Sequence, residues 1–235
     1  MKEEVRQAEP RAPQRRSRVA AAFGYHDFRL LWWGLMIGNL GTWMQFTTLG
    51  FLVASLAPTP SLASLYVGLL GASRAVPVLI CSPIAGVVAD RFPRRRVLVV
   101  TNTATSVLSF LLAALASLHV INLYEIFALS GLLAATLSFD SPARQSWIPT
   151  LVPREHIANA IGLNQVAFNV PAVVGPPIAG ILIATIGVAV SFYVNAVTIL
   201  AVVVALAFMQ PAPPSGAQRE PVLGAMWIGI RFLAG

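Results

Sequence analysis

The sequence predicts an all-α membrane protein that crosses the bilayer six times. Three observations carry that prediction. The 235 residues are 57% hydrophobic and only 11% charged, with a mean hydropathy of +0.74, whereas a soluble domain carries roughly a quarter charged and just under half apolar residues. Six apolar runs recur along the chain, each near the length of about 20 residues that covers roughly 30 Å of hydrocarbon. The basic residues outside those runs fall only in alternate loops. Water alone cannot solvate such a chain, so soluble enzymes, disordered tails and secreted disulfide scaffolds are excluded.

The first run covers residues 30–56 and stops at Ala-Pro-Thr-Pro, 57–60, where proline removes backbone donors a helix interior needs. No small-residue cleavage site follows it, so it is not a signal peptide. The second, 64–88, gives way to the basic stretch 90–96, which hydrocarbon does not tolerate. The third, 97–117, ends at His-Val-Ile-Asn, 119–122; the fourth, 123–139, ends at a polar loop, 140–159. The fifth, 160–184, is closed by Thr-Ile-Gly, 185–187, and the sixth, 191–208, by a connector containing Pro211, Pro213, Pro214 and Pro221. None shows a wide polar face. Residues 1–29 form a basic arm, 30–209 a six-helix bundle, and 210–235 a connector in which Leu223, Met226, Trp227, Ile230 and Leu233 fall on one face of a short amphipathic helix.

The net charge of +7 is a topology signal. The arm, the 90–96 stretch, the 140–159 loop and the 210–235 segment hold every Lys and Arg outside the spans, and the three opposite loops hold none. Short-loop Lys and Arg mark the cytoplasmic side. Both termini are therefore expected in the cytoplasm, in a cell (inner or plasma) membrane. Arg11, Arg15, Arg16 and Arg18, with Pro10 and Pro13, make the arm an unfolded segment suited to anionic lipid. It lacks the interleaved aromatics of a nucleic-acid site. Cys81 is alone, and His26, His119 and His156 are scattered, so neither a disulfide, a metal site nor a cofactor is expected. No nucleophile–base pair or phosphate loop is present either, and an enzyme is not expected.

Between the second and third spans the chain reads Gly86-Val-Val-Ala-Asp90-Arg91-Phe-Pro93-Arg94-Arg95-Arg96. This string resembles the cytoplasmic signature of the major facilitator superfamily, with Pro93 at the place of a second glycine. In such a signature the glycine lets helices approach closely, the aspartate pairs with an arginine or a helix N-terminus, and the arginines anchor the turn at the anionic leaflet. Where the fourth span ends, Asp140-Ser-Pro-Ala-Arg144-Gln145 is followed by Leu-Val-Pro-Arg154-Glu155. With Asp27-Phe-Arg29 and Gly41-Thr-Trp-Met-Gln45, these strings are similar to the enterobactin-exporter-like, or transmembrane secretion effector, branch of the superfamily. Asp140 and Arg144 are expected either to pair locally or to bond across to Asp90 and its arginines, as a cytoplasmic gate that breaks and reforms.

The fifth span carries Gly162, Pro171, Gly175-Pro176 and Ala179-Gly180, which resembles a glycine- and proline-rich motif of the superfamily's exporters. Residues 171, 175 and 179 fall four apart and predict a flat face for close packing, with a bend at proline. Arg74 is the only basic residue inside a span. It is expected to face a cavity, a carboxylate or an anionic substrate, with snorkelling or carbonyls freed by Pro77 as the other reading. Glu125, at the outer start of the fourth span, is either a coupling carboxylate or an interfacial acid; Thr42 stands where many relatives of this branch carry an aspartate.

The resemblance implies two six-helix halves, each of inverted three-helix repeats, with substrate between them. The chain then reads as the N-terminal half, needing a second half or a homodimer to transport. The implied function is proton-coupled export of small hydrophobic drugs or siderophores. The alternatives are uptake by the same fold and a non-transporting membrane scaffold or truncated product.

Overall fold

The computed structural model describes residues 21–209. Of the basic arm expected over 1–29, residues 1–20 lie outside the described residues, whereas 21–29 form a 3-10 turn and the start of α1, with Ala22 and Phe28 buried; the connector helix expected within 210–235 also lies outside the described residues. Within them the chain forms six α-helices and no strand: α1 His26–Ser55, α2 Pro60–Arg91, α3 Arg94–Ser117, α4 Leu123–Trp147, α5 Ile157–Thr185 and α6 Val188–Phe208. Short 3-10 turns precede α1 and link α4 to α5. Among the described residues, α2 to α6 are long and apolar enough to cross a membrane. The first has the length, at 30 residues, but its interior carries Asn39, Thr42, Gln45, Thr47 and Thr48.

Local chemistry sets the helix ends. Pro60 occupies the first turn of α2, where a missing N–H costs nothing, and the Leu62 amide donates to Thr59 Oγ1 at 3.4 Å. Asn122 opens α4: its Oδ1 accepts from the Tyr124 and Glu125 amides at 3.0 and 3.2 Å, while Glu125 Oε2 accepts from the Asn122 amide at 3.0 Å. That reciprocal pair is a capping box. One boundary differs widely from the sequence reading. The fourth helix does not give way to a loop at 140 but runs on to Trp147, so Asp140 and Arg144 are helical. Proline at 142 deletes only one donor near the helix end. Burial of Ala143 and Trp147, with the i,i+4 pairing of Asp140 and Arg144, holds the last turns.

The helices pack in a pattern with internal symmetry. The principal pairs are α1 with α5 and α6, α4 with α2 and α3, and α3 with α6. Exchanging the triplet α1–α3 with α4–α6 maps each of these pairs onto another or onto itself, as two related three-helix repeats require. Each end of the bundle has its own apolar cluster. One gathers Phe28, Leu31, Leu98, Trp147 and Leu206 at the end carrying the basic loops. The other gathers Leu49, Val53, Leu112, Ile126 and Phe192 at the opposite end. Between them lies a layer of buried polar side chains, including Gln45, Thr48, Ser106, Ser109 and Asn195.

Candidate functional site

Asp140 is the centre of the polar layer's charged end. It is buried on α4, and its carboxylate accepts from Arg144 Nη2, from Asn102 Nδ2 at 2.7 Å and from Thr101 Oγ1 at 3.4 Å. The Arg144 side chain is 18% exposed and makes no other ion pair among the described residues. Four residues from two helices thus form a charge-assisted cluster of the strong kind. The expectation of a local pair or a bond across to Asp90 resolves to the local pair. The cluster borders a cavity of about 20 Å³ lined by Asn39, Thr42, Asn102 and Thr105 as well as by Asp140 and Arg144, space for a single water. Asn102 lies eight residues along α3 from Arg94, so the cluster sits about 12 Å in from the basic end.

A second network ties α1, α3 and α6 deeper in the layer. Asn195 Nδ2 donates to Gln45 Oε1 at 2.8 Å and to Ser109 Oγ at 2.9 Å, while Thr42 Oγ1 donates to Asn195 Oδ1 at 3.3 Å. Ser106 Oγ reaches the Ala196 carbonyl at 2.8 Å. The helices approach closely here because Gly41 has no side chain. A Cβ at that position would lie 2.2 Å from Thr198 Oγ1 and 2.8 Å from the Asn195 Cα. Bonds of this kind hold helices together where apolar packing gives no preference over lipid.

The 86–96 string is spread over three environments. Gly86 faces open space: a Cβ there would meet no atom within 4 Å, so the close helix approach expected at this glycine does not occur within the described bundle. Asp90 and Arg91 are exposed at the end of α2 and Arg94 is half-buried at the start of α3; none of these three belongs to an ion pair among the described residues. Arg95 has a different task from the leaflet anchor expected of it. Its Nε donates to the Leu206 carbonyl at 2.8 Å and its Nη2 to the Ala207 carbonyl at 2.7 Å. It caps the C-terminus of α6, where carbonyls lack helical donors and the helix dipole favours a cation.

On α5 the flat face is present: its buried residues include Pro171, Gly175 and Ala179. A Cβ at Gly175 would lie 2.9 Å from Trp43 Cβ and 3.4 Å from the Leu40 carbonyl of α1. Pro176 lies inside the helix next to this contact, and Gly180 faces open space. Arg74 is half-buried on α2 and rests its guanidinium 3.8 Å from the centroid of the Phe46 ring, with no carboxylate partner among the described residues. Glu125 serves the capping box described above.

Asn102, Asn195 and Gln45, which the sequence offers only among several polar span residues able to line a cavity or bond helix to helix, emerge as the centres of such bonds. What would have raised Asn102 is its position on α3 opposite Asp140, which no spacing within a single run reveals.

A family model described as transmembrane secretion effector matches residues 18–235. An uncharacterized MFS-type transporter, YfiS of Bacillus subtilis (strain 168), is 28% identical over 204 residues, covering 84% of this chain and 46% of its own length. The multidrug efflux pump Tap of Mycolicibacterium fortuitum is 28% identical over 167 residues, covering 67% and 41%. The enterobactin exporter EntS of Shigella boydii serotype 18 (strain CDC 3083-94 / BS512) is 28% identical over 162 residues, covering 64% and 36%. The chain spans less than half the length of these relatives.

Proposed function

The chain belongs to the transmembrane secretion effector family of the major facilitator superfamily, and from that premise we propose that it forms the N-terminal six-helix half of a proton-coupled exporter of small hydrophobic drugs or siderophores. Two of the relatives named above are an efflux pump and an exporter, which favours outward movement. A second six-helix half, or a second copy, supplies the partner against which this bundle rocks. Both termini and the basic loops face the cytoplasm, following the arginine distribution.

The observation that carries the proposal is the buried cluster of Asp140, Arg144, Asn102 and Thr101. It joins α3 to α4 between the basic end and the polar layer, where a cytoplasmic gate has to close. Opening separates the two helices and admits water through the small cavity beside the pair; closing restores the charge-assisted bonds and expels it. Asp90, Arg91 and Arg94 belong to the same gate from its outer rim, exposed where a second half would meet them. The Gly175-Pro176-Gly180 stretch of α5 supplies the point at which that helix flexes on the other flank of α1.

Flux of a hydrophobic dye in everted vesicles, with and without a proton gradient, is the test. Gradient-dependent accumulation inside the vesicles is the expected result, reduced at least tenfold by Asp140→Asn at equal expression. Efflux of dye from preloaded everted vesicles would instead favour the uptake carrier. Flux indifferent to both the gradient and Asp140→Asn would leave the scaffold reading.

A further inference from the structure

Arg74 sits in an unusual setting for a charged residue within a membrane span. At 1.5 Å per residue it lies about 15 Å from the residue-64 end of its apolar run, near the middle of the bilayer. Its neighbour is the face of Phe46 on α1, at 3.8 Å. Phe46 in turn meets Trp43 edge-on at 5.8 Å, and Trp43 meets Phe168 of α5 at 5.7 Å. A cation and three aromatic rings therefore form one row across α2, α1 and α5.

That row is not covered by the bundle. Of the 32 residues of α2 only Leu70, Ala85 and Ala89 are buried, and Phe168 is 47% exposed. Gln165 and Asn169, on either side of Phe168 in sequence, are exposed as well. A guanidinium and an amide near mid-bilayer, Arg74 and Asn169, with a second amide, Gln165, nearer the basic end of its run, do not face lipid tails; such groups face a water-filled path or another protein surface. The cation is matched by no carboxylate among the described residues, so its charge is available to a ligand. The Phe46 ring holds the guanidinium in place, which lowers the entropy lost when it grips an anion.

We propose that Arg74, Phe46, Trp43 and Phe168 form a subsite for a planar organic anion, an aryl carboxylate or phenolate whose charge is met by Arg74 and whose ring stacks in the aromatic row. The inference rests on the exporter reading and names the chemical class of its cargo. Arginine suits the task because its planar fork meets a carboxylate with two donors, whereas lysine offers a point charge.

The test is equilibrium dialysis of 2-naphthoate and of its neutral amide, 2-naphthamide, against the protein in lipid nanodiscs. Naphthoate is expected to bind at least tenfold tighter than the amide. Arg74→Gln is expected to abolish that preference and Arg74→Lys to keep part of it. Phe46→Leu, which retains the charge, is expected to weaken both probes at least threefold. It remains decisive if Arg74→Gln fails to fold. Equal binding of the two probes, a preference that survives Arg74→Gln, or unchanged affinity in Phe46→Leu overturns the subsite. Binding is read without flux, so the two readings fail separately. Selective binding with no transport once the second six-helix half is supplied retires the exporter, and gradient-driven dye export without anion preference retires the subsite.

Discussion

Replacing Asp140 by asparagine keeps the side chain's shape and removes its charge. The structure makes the consequences for the two partners unequal. Arg144, only 18% exposed at the side chain, is left without any ion pair among the described residues, and orphaning a buried charge costs about 3–5 kcal/mol. Arg144→Gln is milder, because the Asp140 carboxylate still accepts from Asn102 at 2.7 Å and from Thr101 at 3.4 Å; it is expected to cost about 1–3 kcal/mol. Removing both charges leaves neither orphaned, so the double variant is expected to be more stable than Asp140→Asn alone. At about 2–4 °C per kcal/mol for a chain of this size, Asp140→Asn lowers the melting temperature by roughly 6–20 °C. Melting in nanodiscs, followed by intrinsic tryptophan fluorescence, gives all four corners of the cycle. Costs that simply add, to within about 0.5 kcal/mol, would refute the claim that the two residues act as a pair.

Three further outcomes are expected. Gly41→Ala forces a Cβ to within 2.2 Å of Thr198 Oγ1, an overpacking cost of about 1–3 kcal/mol, whereas Gly86→Ala enters open space inside a helix and raises stability by about 0.5–1 kcal/mol; paired melting curves check both. Arg95→Ala removes two bonds to the Leu206 and Ala207 carbonyls, so deuterium uptake at the end of α6 rises at least threefold, and Arg95→Lys recovers part of the protection. Glu125→Ala breaks the capping box at a cost of about 1 kcal/mol but leaves the proposed proton-coupled flux intact, because Glu125 is spent on the Asn122 amide; a loss of coupling with retained expression would make Glu125 the coupling acid instead.

The bundle was legible because apolar length and loop charge are local properties. The packing face of α5 was legible for a related reason: small residues four apart occupy one stripe of a helix wherever its neighbours lie. The extension of α4 past 140 was not, since a cluster of Asp, Pro and Arg reads as loop unless a buried partner such as Asn102 neutralises it. Arg95 shows the same limit. Four arginines within 91–96 look alike in sequence, and only the fold brings the end of α6, 111 residues away, under one of them. The Asn195 network stayed hidden because an amide inside a span has no meaning until its helix phase and its neighbours are known.

The exchange symmetry of the packing bears on biogenesis. A bundle whose main helix pairs survive the swap of its two triplets carries little preference for either way of entering a bilayer. What breaks the tie is the arginines, and within the described bundle the 91–96 cluster is the densest set. Translocon and leaflet, not the fold, then decide which end faces the cell interior. Moving that cluster to the 57–60 loop is the kind of edit that would turn the same bundle upside down and leave its interior contacts unaltered.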